Sequence, residues 1–291
     1  MTKALAVRGY LIHLTHYDPW WMKTKSEEKP FDMDLGLEAV DELGRRGFNT
    51  LFIGVSDGVR YASHPELAKP YSVPMDQLKK LSGRARSAGL TVIPKLNFSK
   101  SEINGHDFWS RRPGAPWYEE FDEPAYFKKG FDCIDEIIAA CGPERFFHIG
   151  MDEDHERSVR QYILAMETLR KGLKERGLRT VTWSDSSIGY GSAEVHQEKS
   201  QIAEKKISRD IVRILWNYQD VPVKEMKILR RRGFTLWGAP GRDPGHVEKF
   251  KKALLSEGGD GLVMTFWRPC RPENREKMLE QIKTLGPVYN A

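Results

Sequence analysis

The chain has 291 residues, 40% of them hydrophobic and 11% aromatic, which is enough to bury a large core within one domain. Lys and Arg number 46 against 41 Asp and Glu, and a formal excess of +5 over so large a surface gives no reason to expect nucleic acid or another polyanion as partner. No run approaches the ~20 consecutive apolar residues of a membrane-spanning helix, so no membrane partner is expected. The apolar run from Ala4 to Leu14 is interrupted by Arg8 and His13, unlike a signal peptide. A cytoplasmic location is the default expectation, with secretion open if a leader has been removed. Cys133, Cys141 and Cys270 have neither disulfide-framework nor zinc-knuckle spacing and read as ordinary thiols.

In chain order, short apolar or β-branched runs alternate with stretches of helical period. The first strand is expected from Ala4 (ALAVRGYLIHL), followed by the helix DLGLEAVDELGRRG. The second begins at Thr50 (TLFIGVSD) and leads to MDQLKKLSGRARSAG; the third begins at Thr91 (TVIPKLNF) and leads to YFKKGFDCIDEIIAACG. The fourth begins at Arg145 (RFFHIGMDE) and leads to a helix starting near Ser158, SVRQYILAMETLRKGLKERG. Four more are expected from Arg179 (RTVTWSDS), Ile211 (IVRILWNYQ), Phe234 (FTLWGAP) and Gly261 (GLVMTFWRP). Gly47, Gly89, Gly142, Gly177 and Gly233 stand just before strands, where a helix ends in a left-handed residue.

Eight such units imply parallel strands joined by crossover helices, and favour a (β/α)8 TIM barrel, one domain over residues 1–291, over an open doubly wound sheet. No dinucleotide or P-loop glycine motif follows the first strand to argue for the open sheet. In a barrel the loops after the strands build the active site. The first three here are long: Thr15 to Met33 with HYDPWW, Asp57 to Val73 with DGVRYASHPE, and Ser99 to Ala125 with NGHDFWSRRPGAPWYEEFDEP. Their aromatic content fits the walls of a pocket.

The fourth strand ends in adjacent carboxylates, Asp152 and Glu153, with Asp154, His155 and Glu156 following. Successive strand residues face opposite ways, so the two can share a site only if the strand stops there and the chain turns. Two carboxylates in one pocket repel, which raises the proton affinity of one and divides them into a neutral acid and an anion, as glycosidic cleavage requires. Acids leading into a helix N-terminus, where they offset the dipole, are the competing reading.

The segment Phe147-His148-Ile149-Gly150-Met151-Asp152-Glu153 resembles the H-x-G-G-D-E signature of family 20 glycoside hydrolases, the β-N-acetylhexosaminidases, on the strand where that family carries it. Arg8-Gly9, Gly47-Phe48-Asn49 leading to Asp57, and Ala88-Gly89-Leu90-Thr91-Val92-Ile93-Pro94 are similar to family segments in the same order. Trp183, Trp216 and Trp267 fall where the family walls its sugar pocket. The resemblance implies an exo-acting retaining hydrolase of β-linked amino sugars, without a cofactor or metal. In this mechanism the sugar's own 2-acetamido oxygen attacks C1. It makes Glu153 the general acid and then base, sets Asp152 to orient the acetamido group, and gives Arg8 the ring hydroxyls. Asp57, His148, Trp183, Asp185, Trp216 and Trp267 complete the implied substrate site. The chain departs from the family at His13 and His16 on the first strand, at Lys95 and Asn97 where the third strand is expected to carry acids, and at Arg242 and Arg268 after the seventh and eighth.

Plainer roles compete for several residues. Trp183, Trp216 and Trp267 could serve packing, Trp237 reads as core, His148 as a hydrogen-bonded scaffold residue, and Asp57 and Asp185 as loop caps. Two other functions remain open on sequence: a metal-dependent barrel isomerase or hydrolase using His148, Asp152, Glu153 and His155, with Asp57, Asn97 and Asp185 as possible partners from other strand ends, and a catalytically silent barrel that binds glycans. Oligomeric state is not legible.

Overall fold

The computed structural model describes residues 4–15, 28–100, 117, 122–187 and 194–290, apart from the side chains of 194 and 195. Its strands are β1 Val7–His13, β2 Thr50–Gly54, β3 Thr91–Lys95, β4 Phe146–His148, β5 Arg179–Ser184, β6 Val212–Trp216, β7 Thr235–Ala239 and β8 Gly261–Thr265. They pair in that order, all parallel, and β8 closes onto β1. The expected eight-stranded barrel is the observed fold. Each strand is followed by a helix: α1 Met33–Arg45, α2 Met75–Ser87, α3 Pro124–Cys141, α4 Val159–Glu175, α5 Glu194–Ala203, α6 Val223–Arg231, α7 Pro244–Ser256 and α8 Arg275–Asn290.

Local chemistry fixes the boundaries. The α1 N-cap is Asp32, whose carboxylate accepts from Leu35 N–H at 2.9 Å. At α4, Ser158 and Gln161 form a reciprocal capping box. The five glycines expected before strands all have left-handed backbone, with φ between 57° and 88°. Of the long connections, the one after β2 is described and carries a short 3-10 turn, Pro65–Leu67. HYDPWW, and the third connection except Ser99, Lys100, Trp117 and 122–125, lie outside the described residues.

Two apolar layers hold the barrel. The outer one joins the sheet to the helices through residues such as Leu35, Val40, Leu51, Ile134, Leu169 and Ile282. The inner one fills the lumen with Leu11, Phe52, Ile93, Phe146, Val181, Ile214, Trp237 and Val263, so Trp237 is core as expected. Because side chains alternate along a strand, the residues two positions further on lie above this plug. They are His13, Gly54, Lys95, His148, Trp183, Trp216, Ala239 and Thr265. Contacts among them confirm the placement: the His148 and Trp183 rings lie 4.8 Å apart, and the Lys95 ammonium is 5.9 Å from the Trp183 ring. The lumen thus turns polar at the C-terminal mouth.

Candidate active site

The mouth is organised by the turn that follows β4. This strand ends at His148, and Gly150 and Met151 (φ 72° each) and Glu153 (φ 47°) all have left-handed backbone. This breaks the strand alternation that would have sent Asp152 and Glu153 to opposite faces. Each left-handed non-glycine residue costs about 1–3 kcal/mol, and neighbouring elements supply hydrogen bonds that hold the turn. Gly150 O accepts from Trp183 N–H (3.0 Å) and Thr182 Oγ1 (2.8 Å) on β5. Met151 N–H donates to Asn97 Oδ1 (3.0 Å) beyond β3, and Met151 O accepts from Tyr162 OH (2.8 Å) on α4. Glu153 N–H donates to Asp185 Oδ2 (2.8 Å) beyond β5.

Charge is concentrated around this turn. Asp152 is 5% exposed and accepts from Asn97 Nδ2 at 3.0 Å, whereas Glu153 is half-buried. Burial, then the charges of Asp152 and Glu153, push the Asp185 carboxyl well above the usual range; hydrogen bonds from Trp216 Nε1 (2.9 Å) and Glu153 N–H only partly offset them. Lys95 is buried below, and desolvation lowers its ammonium to about 8 against the opposing attraction of Asp152. Burial, with help from Lys95 and His13, holds His148 well below the usual imidazole value, so it is neutral. Its Nδ1 accepts from Gly150 N–H at 2.9 Å, which places the proton on Nε2.

Aromatic rings wall the other side. His13 stacks on Trp267 at 5.3 Å and 25°, Trp183 and Trp267 are 6.2 Å apart, and Trp216 lies 5.5 Å from Tyr218. Trp267 Nε1 donates to Tyr218 OH at 2.9 Å, and Tyr218 OH is 3.2 Å from Thr265 Oγ1. Trp183 and Trp216 are buried, whereas Trp267 keeps part of its surface open.

The structure therefore gathers Asp152, Glu153, His148, Trp183, Asp185, Trp216 and Trp267 at one mouth. It does not bring Arg8 there. Arg8 is at the start of β1, and its guanidinium donates to Gly47 O (2.7 Å) and Leu5 O (3.0 Å) at the opposite end of the barrel, so its expected role on the sugar hydroxyls is corrected to a structural one. Asp57 follows β2 on the correct side, but it is buried and accepts from Tyr71 OH (2.6 Å) and Thr15 Oγ1 (3.2 Å), tying the second connection down. Asp154 serves the scaffold, accepting from Lys100 N–H (2.9 Å), Arg157 N–H (3.0 Å) and the Arg157 guanidinium, which also grips Asp122. Tyr218 was not found from sequence, although its place two residues after Trp216 at a strand end was a usable signal. In the sequence Lys95 and Asn97 stand out as departures from the family pattern, and Asn97 otherwise only as a possible partner in the metal reading. Among the described residues, no three His, Cys, Asp or Glu side chains cluster as a metal site would require.

No protein-family model matches the chain, and none of the curated proteins matches it. Solved structures do. The family 20 β-N-acetylhexosaminidase of Streptomyces coelicolor A3(2) superposes with a TM-score of 0.70 at 14% identity, over 97% of this chain and 64% of that one. Dispersin B gives 0.60 at 15% identity, over 99% and 98%. A mutant Streptomyces plicatus β-hexosaminidase, in complex with its product GlcNAc, gives 0.68 at 15% identity, over 97% and 64%. The shared feature is the fold. The chain spans slightly less than two thirds of the two Streptomyces enzymes and nearly all of dispersin B.

Proposed function

We propose that this barrel is a retaining, exo-acting β-N-acetylhexosaminidase in which the substrate's 2-acetamido group is the nucleophile. The observation that carries the reading is the turn after β4. It sets a buried carboxylate, Asp152, which accepts a hydrogen bond from the Asn97 amide, directly before a more accessible one, Glu153, at the C-terminal mouth of a barrel shared with hexosaminidases. Asp152 accepts the acetamido N–H and stabilises the positive charge that develops as the acetamido oxygen bonds to C1. Glu153 gives its proton to the departing glycosidic oxygen, then removes a proton from the water that opens the oxazolinium ring. Trp267, which keeps part of its surface open, offers an apolar face to the sugar and is backed by the buried Trp183. The GlcNAc bound by the Streptomyces plicatus enzyme supports a carbohydrate of this class as substrate.

The test is a panel of aryl glycosides, β-GlcNAc, β-GalNAc, β-glucoside and β-galactoside, with Glu153→Gln alongside wild type. Cleavage restricted to the 2-acetamido sugars is expected. Loss of the general acid removes about 10²–10⁴ in rate, more for a natural glycan than for a nitrophenyl leaving group that needs little protonation. Cleavage of only the sugars lacking the acetamido group overturns the mechanism, and glycan binding without any cleavage overturns the enzyme.

A further inference from the structure

The β4 turn is held by Asn97, two residues beyond β3, a residue to which the resemblance assigns no task. Asn97 Oδ1 accepts three hydrogen bonds, from Met151 N–H (3.0 Å), Ser99 N–H (3.1 Å) and Ser99 Oγ (3.0 Å). An amide has one carbonyl and one NH2 end, so these donors fix its direction and the NH2 must face Asp152, where Nδ2 donates to Oδ1 at 3.0 Å. Gly150 makes the approach possible, because a Cβ on it would fall 1.8 Å from Asn97 Oδ1. Both partners are about 95% buried, so the bond is shielded from competing water.

We infer that Asn97 is the positioning residue for Asp152. It holds the Asp152 carboxylate with a donor that cannot reverse, and so sets the direction in which that carboxylate meets the substrate's acetamido N–H. Lys95, two residues earlier at the end of β3, is attracted electrostatically by the same carboxylate. The role rests on the hydrolase reading above, but the geometry on which it depends can be tested without substrate.

The experiment compares Asn97→Asp with the swap Asn97→Asp/Asp152→Asn, reading kcat, KM and melting temperature from pH 4.5 to 8.5. Asn97→Asp sets two carboxylates against each other. At acid pH one shared proton restores a donor toward Asp152; as pH rises the proton leaves and the pair repels. The variant should show about tenfold lower kcat near pH 5 and at least about a hundredfold lower kcat at pH 8, with KM changed less, and a melting deficit that widens with pH. The swap restores the hydrogen bond with its polarity reversed, so it should regain melting temperature across the range while remaining as inactive as Asp152→Asn alone. A wild-type pH profile and melting curve in Asn97→Asp, or a swap no more stable than the single variant at pH 8, overturns the positioning role. If wild type cleaves no 2-acetamido glycoside, the hydrolase reading fails on that result, and the melting comparison still decides whether Asn97 holds Asp152.

Discussion

At the N-terminal end of the barrel, Arg8 donates to two backbone carbonyls, and Asn49 accepts from Arg8 N–H (2.8 Å) and donates to Ala6 O (2.9 Å). At the C-terminal end, Asp152, Glu153 and Asp185 share one mouth on a turn with three left-handed residues. Both ends are hydrogen-bonded, but differently: the lower network runs mainly to uncharged backbone groups, with Thr50 Oγ1 also donating to Asn49 Oδ1 (2.9 Å). The upper one crowds like charges and unfavourable backbone together. A barrel strand can thus end in stability or in chemistry, and the end of the strand a residue occupies decides which.

The largest test of this contrast is Gly150→Ala. The added methyl would meet Asn97 Oδ1 at 1.8 Å and Asn97 Cα at 2.9 Å, on backbone with φ 72°. The left-handed backbone alone costs about 1–2 kcal/mol for a non-glycine residue, and the overlap must also displace Asn97 or the turn. Loss of more than about a hundredfold in kcat/KM, with a clear drop in denaturation midpoint, is expected. Near-normal activity would mean that the turn is not the held element described here.

Asp185→Asn gives an intermediate effect with a pH signature. The fold raises the proton affinity of Asp185 above that of the unfolded chain. The stability contributed by its proton is therefore complete below the unfolded value of about 3.9 and is lost as pH rises through the raised folded value. Removing the ionisable group should flatten the fall in stability on the alkaline side of pH ~4, while a misplaced Glu153 backbone lowers kcat by about tenfold. Denaturant titrations at several pH values check the first expectation; an unchanged slope would remove Asp185 from the groups that set it.

Arg8→Met should have the smallest effect on function. Two hydrogen bonds to backbone carbonyls disappear, which costs about 1–3 kcal/mol of stability, while kcat and KM on an aryl glycoside stay within about twofold. A rise in KM of tenfold or more would return Arg8 to the substrate site and undo the contrast between the two ends.

The eight strand–helix units, the glycines between them and the carboxylate pair are legible in the sequence, because periodicity, turn chemistry and a contiguous motif are local properties of the chain. It also carried Trp183, Trp216, Trp267, His148 and Asp185 to the correct end, since strand-end position is readable along the chain. The partners of these residues are set by the closed barrel. Arg8 resembles a sugar-binding residue in sequence but stands at the start of β1, at the opposite end, and Asp57 lies at the mouth with its carboxylate held by Tyr71 and Thr15. Asn97 and Asp152 are 55 residues apart and meet because adjacent parallel strands are in register, with Lys95 beside His148. That register follows from the closure of all eight strands around one lumen, and no local stretch of sequence contains it.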